Sequence, residues 1–274
     1  MKQTQALSAA RCPTMRSMGN KLPLRILRGI LCLAFWIFVW QMLALAVRRV
    51  LVLPTPLAVA KTLGSLLSDG EFYLVCLWSL GRIFAGLLIG LFAGLLLAAL
   101  CAASKFADAL ISPAISVIKA TPIASVIILM LYVIGKGAVP MVATLLMVIP
   151  IVFVNVRRGI AAVPEPMREV AAVYGFGLRK HVRYLILPSV LPYFVAACRS
   201  ALGLAWKAGI AAEVICMPDL SIGDKLHEAK IYLESEALYA WTIVVVLLSV
   251  LIEKGVVLLL SRLSEKGGVG VAEA

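Results

Sequence analysis

The chain has 274 residues, 62% hydrophobic and 15% charged, with a net charge of +12. A soluble domain carries roughly a quarter of its residues as charges, so this composition excludes an ordinary water-solvated globule. The positive excess does not point to nucleic acid either, because the basic residues cluster at the edges of apolar blocks, where charges orient a chain in a bilayer.

A bilayer core of about 30 Å needs roughly 20 apolar residues in a helix. Six stretches meet or approach that length: 29–47, 83–103, 114–135, 139–156, 189–216 and 237–260. Residues 1–28 precede them as a basic tail with Lys2, Arg11, Arg16, Lys21, Arg25 and Arg28. In the first stretch, Ala44-Leu-Ala46 resembles a signal-peptidase site. Its apolar run exceeds the usual h-region of about 7–15 residues and contains Trp36, Trp40 and Gln41, so a retained transmembrane helix over 29–47 is expected.

The second stretch is free of charge and carries Gly86, Gly90 and Gly94 four residues apart. That ladder bares one helix face, which permits close backbone packing against another helix; helix sliding in a transport path is the alternative. Prolines 122, 140, 150 and 192 fall in or at the ends of spans and are candidate kinks. The fifth stretch contains Arg199, Lys207 and Glu213. Each charge costs roughly 2.5–3.5 kcal/mol at a central membrane position, so each needs a cavity, a partner or the interface. For Lys207, lining a path and pairing with another helix are both open. Arg199 and Glu213 lie within about 40° around the helix but about 21 Å apart along it.

Between the fourth and fifth stretches runs a polar, basic loop, 157–188. Pro164 and Pro166 suit a helix start, residues 165–174 are helix-forming, and Gly175 and Gly177 suit its end. A second short helix over 178–187, stopped by Pro188, completes a hairpin that exposes the small side chains of Ala171 and Ala172. On these grounds alone a solvated surface helix and a docking surface are equally supported. The segment 221–236 has Ile222, Leu226, Ala229 and Leu233 at helical spacing; lying along the membrane surface and meeting an extracytoplasmic partner are both open, and a plain surface helix is expected. The basic residues of the first tail, the loop and the final tail (263–274) fall on one side of a six-span chain, which the positive-inside rule makes cytoplasmic.

The loop resembles the EAA motif of permease subunits in bacterial ABC importers: Glu-Ala-Ala, three residues, Gly, nine residues, Ile-x-Leu-Pro. Glu169, Ala171, Gly175, Leu187 and Pro188 are in register, with Val170 and Leu185 as conservative departures. Val52-Leu-Pro-Thr-Pro56, Gly70-Glu71, Ser79-Leu-Gly-Arg82, Thr121-Pro122, Leu202-Gly-Leu-Ala-Trp206 and Ala211-Ala-Glu213 are similar to the taurine, nitrate and alkanesulfonate branch. After Glu213 the usual Gly-Leu-Gly gives way to Ser221-Ile-Gly-Asp224.

The resemblance implies an all-α integral membrane protein: one N-terminal helix followed by a five-helix type I importer permease core over 70–262. It implies a bacterial inner-membrane location with both termini cytoplasmic, and a homodimer with two cytoplasmic ATPase subunits and an extracytoplasmic solute-binding protein. Glu169, Ala171, Ala172, Gly175, Leu187 and Pro188 would form the coupling loop. Lys207, Arg199, Thr121 and Trp206 are candidates for the path of a small solute such as a sulfonate, taurine, nitrate or similar anion. No GxxxxGK[ST] occurs in the chain, so it holds no P-loop for nucleotide. ATP and magnesium would belong to a partner, and neither a cofactor, a metal nor bond-making catalysis is expected here. The rival class, an ion-coupled secondary transporter, needs a carboxylate near mid-membrane, and Glu213 is the one candidate.

Overall fold

A computed structural model describes residues 21–266. The expected terminal tails lie partly outside them, at 1–20 and 267–274. The chain divides into two units, 1–58 and 59–274. The first holds helix α1 (Lys21–Val47). Leu31, Leu33, Trp36 and Phe38 each expose more than half their surface, which suits lipid and not water.

The rest is helical as well: α2 (Pro56–Ser68), α3 (Gly70–Ala103), α4 (Lys105–Ala120), α5 (Ile123–Ile134), α6 (Val139–Ala161), α7 (Glu165–Val173), α8 (Leu178–His181), a π-helical turn (Val182–Ile186), α9 (Leu187–Cys216), α10 (Ile222–Ile231) and α11 (Ser235–Lys266). No strand occurs among the described residues. Among the described residues, five helices are long and apolar enough to cross a membrane, or up to six crossings if the bent pair α4–α5 is one.

Helix α6 lies between α3 and α9, and the glycine ladder explains the first of these contacts. A Cβ on Gly86 would come within 2.3 Å of the Met141 carbonyl oxygen. Ones on Gly90 and Gly94 would meet the Val148 and Val152 Cβ atoms at 2.8 Å. The rising residue numbers on both sides make α3 and α6 parallel neighbours. Gly159 abuts Val190 and Gly209 abuts Thr144, so α9 runs antiparallel to α6. Around these contacts Leu87, Ala98, Val148, Val152, Phe153, Ala197, Ala201 and Ala205 form the main core. In lipid, helices gain little from hydrophobic burial against each other, so this close fit is the main source of association.

Three expectations change. The stretch 114–135 is not one straight span: α4 and α5 meet at 104°. Thr121 is extended (φ −78°, ψ 128°), because Pro122 disfavours helical geometry in the residue before it and supplies no N–H. The second expected span is longer, since α3 begins at Gly70, where the Asp69 side chain accepts from the Glu71 N–H at 3.0 Å. Pro188 does not stop a helix but sits in the first turn of α9. Upstream of it the ladder widens to π geometry, with Leu187 N–H bonding back to the Val182 carbonyl. A π turn slips the ladder by one residue and absorbs the donor that proline lacks.

Gly86→Ala should therefore destabilise the detergent-solubilised protein by about 1–3 kcal/mol through overpacking, read as a lowered thermal midpoint. Gly81, which has open space at its Cβ position, should accept alanine with no loss.

Candidate functional site

The chain presents three groups of chemically distinctive residues: the loop between α6 and α9, a charged stripe on α9, and a polar node at the opposite end of α9.

In the loop, α7 is followed by Gly175 at φ +60°, the left-handed conformation that ends helices and favours glycine. The Phe176 N–H turns back to the Ala171 carbonyl at 2.9 Å and the Gly175 N–H to the Ala172 carbonyl at 3.1 Å, a Schellman-like closure. Gly177 has an ordinary φ of −66° and instead precedes α8, so only one of the two glycines acts as the expected stop. Val163, Ala171 and Leu185, with Phe176 against them, form a small core of their own.

That core alters one expectation. Ala171 is buried, and only Ala172 remains exposed. The outer face is larger and more apolar than small side chains alone would make it: Val173 is 84% exposed, Leu178 80% and Tyr174 76%. Beside it lies a shallow groove of about 280 Å³ walled by Met167, Val170, Phe176 and Tyr184. Glu169 and Leu187 are exposed. At the base of the loop, Arg157 on α6 donates to both carboxylate oxygens of Asp108 on α4, and to the Ser112 hydroxyl at 2.7 Å. The Arg157 guanidinium also lies 5.6 Å from the Phe153 ring. This clamp holds α6 just before its last turn, from which the loop departs. No local sequence pattern pairs residues 49 positions apart.

Along α9, Ala196, Arg199, Ser200, Leu204, Lys207 and Ala211 are all exposed. Their spacing of three or four residues places them on one stripe. Lys207 and Arg199 show no ion pair among the described residues. Thr121 is exposed at the α4–α5 bend, its hydroxyl bonded to the Val117 carbonyl at 2.7 Å. Trp206 behaves differently from the other path candidates. It is 3% exposed, and its indole N–H donates to the Val245 carbonyl at 3.3 Å, so it ties α9 to α11.

The third group joins two sequence motifs 131 to 134 positions apart. Glu213, fully buried, accepts from the Ser79 hydroxyl at 2.8 Å and from the Gly223 N–H at 3.4 Å. Ser79 Oγ in turn accepts from the Ile222 N–H at 2.9 Å. The Arg82 guanidinium stands 3.7 Å from Glu213 Oε1 and donates to the Asp219 and Leu220 carbonyls at 2.7 and 3.3 Å. The α10 helix is thus seated by its buried N-terminus, Ser221 to Gly223, while Glu228 and Lys230 on it are exposed. Outside the membrane spans, Lys136 reaches Asp219 at 2.6 Å and holds that carboxyl below the usual aspartate range. Burial alone would lower the Lys225 ammonium, but Glu71 and Glu228 more than offset this and leave it above the usual lysine range.

Residues 86–265 match the profile of a family described as "Binding-protein-dependent transport system inner membrane component". SsuC of Bacillus subtilis, a permease protein assigned to aliphatic sulfonates transport, is 27% identical over 221 residues, covering 80% of this chain and 79% of its own. The nitrate import permease protein NrtB of Synechococcus elongatus is 28% identical over 198 residues, covering 68% and 70%. The bicarbonate transport system permease protein CmpB of the same species is 32% identical over 78 residues, 28% of each chain. In fold, a crystal structure of an amino acid ABC transporter superposes with a TM-score of 0.56 at 21% identity, over 69% of this chain and 90% of that one.

Gly175→Val should strain the loop by about 1–2 kcal/mol and speed tryptic cleavage at the exposed Arg179 and Lys180. Gly177→Ala, at negative φ with open space around it, should leave the cleavage rate unchanged.

Proposed function

The chain belongs to the binding-protein-dependent transport system inner membrane component family, the permease subunits of ABC importers, and from that premise we infer how its parts divide the work of import. Membership in this family leaves the ion-coupled alternative without support. Glu213, the carboxylate that reading required, is committed to contacts with α3 and α10.

The loop 157–188 is the docking surface for a separate ATPase on the cytoplasmic side, which also places both termini inside. The observation that carries this reading is the exposed apolar face of α7 and the turn after it. Valine, tyrosine and leucine lie bare on a segment otherwise rich in Arg179, Lys180 and Arg183, and a contiguous apolar patch with a polar rim marks a protein contact. Glu169 is exposed on the same helix, with no ion pair among the described residues. The Arg157–Asp108 clamp makes the base of the loop stiff enough to transmit a push to α4 and α6.

Two copies of the chain face each other around the path, and an extracytoplasmic binding protein delivers the solute. The solute is a small anion. Charges on the exposed α9 stripe are too costly to face lipid, and this chain offers them no partner among the described residues, so Arg199 and Lys207 look onto water or a second subunit. Their sign favours an anion, and the sulfonate, nitrate and bicarbonate named for the relatives agree with it. Thr121, exposed at the bend between α4 and α5, is assigned to the same path. Trp206 serves instead as a positioning residue that holds α9 against α11.

Substituting Val173→Asp together with Tyr174→Asp should abolish co-purification of an ATP-hydrolysing subunit while membrane insertion is retained; a complex that still forms would refute the docking role. Lys207→Ala should lower anion uptake about tenfold or more, equivalent to about 1.4 kcal/mol, with the ATPase still bound. Undiminished uptake would remove Lys207 from the path.

A further inference from the structure

Helix α9 begins where the docking loop ends and finishes at the buried Glu213 node. Its 30 residues span about 45 Å at 1.5 Å per residue, so one helix joins the docking loop to the far end of the bundle. Lys207 and Glu213 are six residues apart and therefore about 120° apart around the axis. The same rod thus carries a path charge on one face and the node on another.

We propose that Glu213, Ser79 and Arg82 form a latch that holds the 217–231 segment closed over the outer end of the bundle, and that movement of α9 opens and closes it during transport. This rests on the reading of the loop as the ATPase dock.

Four observations carry it. First, the node joins three elements that are distant in sequence, α3, α9 and the start of α10, through a chain of donors: Ile222 N–H to Ser79 Oγ, and Ser79 O–H to Glu213. Second, contact is backbone-tight, since a Cβ on Gly223 would lie 2.2 Å from the Glu213 carbonyl carbon. Third, the node is only partly satisfied. Glu213 Oε1 is buried without a hydrogen bond, and its nearest cation, Arg82, is at 3.7 Å. A buried carboxyl oxygen left without a hydrogen bond is expensive, which makes this arrangement a state that can be exchanged for another, unlike a fully saturated structural anchor. Fourth, the segment between α9 and α10 holds Met217 at φ 48° and Leu220 at φ 52°. Such left-handed conformations cost non-glycine residues of order 1–2 kcal/mol each. The segment is therefore loaded, and Arg82 holds it by donating to the two carbonyls beside the strain.

Arg199 illustrates the arrangement. It lies within about 40° of Glu213 around the helix yet is exposed, about 21 Å along the axis from the node that α3 and the start of α10 enclose.

The test uses the full complex, co-purified with its ATPase subunits in nanodiscs, with the six native cysteines replaced by alanine. Ile222→Cys reports on the node: its backbone N–H is kept and its side chain is fully buried. A membrane-impermeant maleimide should leave it unlabelled without nucleotide and label it with a non-hydrolysable ATP analogue. Adding Glu213→Gln should give labelling in both states and raise solute-independent ATPase activity about fivefold or more. If that variant fails to assemble, Arg82→Lys, which keeps the charge but loses the two-point grip, should give the same result. Labelling of Ile222→Cys that ignores nucleotide, or assembled variants with native labelling and native basal activity, would overturn the latch. Failure of the unsubstituted chain to co-purify with an ATPase would instead sink the docking reading, and the latch with it.

Discussion

The close approach of α3 and α6 is the contact on which the rest of the molecule depends. A bilayer gives two apolar helices little reason to prefer each other over lipid, so association requires surfaces that fit at backbone distance. Glycines at 86, 90 and 94 supply one such surface, and Val148 and Val152 fill it. Once α6 is held in that groove, its other side receives α9 through Gly159 and Gly209. The order of the bundle follows from where side chains are missing as much as from where they are large.

Placing α9 against α6 has mechanical consequences. The π-helical turn before Pro188 lets the chain pass from the loop into a long helix without a break. A stop at that proline would have left the loop attached by an irregular segment; here the helical hydrogen bonding runs on from the loop into α9. The Arg157–Asp108 clamp does the corresponding work on α6, where a bidentate guanidinium–carboxylate pair fixes orientation as well as distance. Both ends of the loop are thus fastened to helices that run the depth of the bundle.

Polar groups are sparse here, and each is placed where the membrane tolerates it. The loop carries its charges outward and keeps a small apolar core. On the α9 stripe Arg199 and Lys207 are exposed, with no ion pair among the described residues. The node at Glu213 instead uses a serine hydroxyl, two backbone amides and an arginine to make an acidic group acceptable inside the protein.

Much of this was legible from the chain by itself. Hydrophobic runs located the membrane helices because length and apolarity are local properties, and the glycine ladder announced its packing role because a spacing of four residues marks one helix face. The loop was legible too, since glutamate, glycine and proline fell in a recognisable register, and left-handed geometry at Gly175 is a demand one residue makes on its own. What could not be read locally was what each exposed or buried group meets. Ala171 turned inward because Leu185 and Phe176 fold over it; Trp206 is buried where Val245 offers its indole a carbonyl; the 114–135 stretch broke at Thr121, between two apolar helices. Glu213 shows the division most plainly. The sequence determined that an acidic residue would sit at the end of an apolar helix, but only the folded bundle decided that Ser79, Arg82 and the start of α10 would surround it, because hydrogen bonds between residues more than a hundred positions apart depend on where helices cross, and no local pattern encodes that crossing.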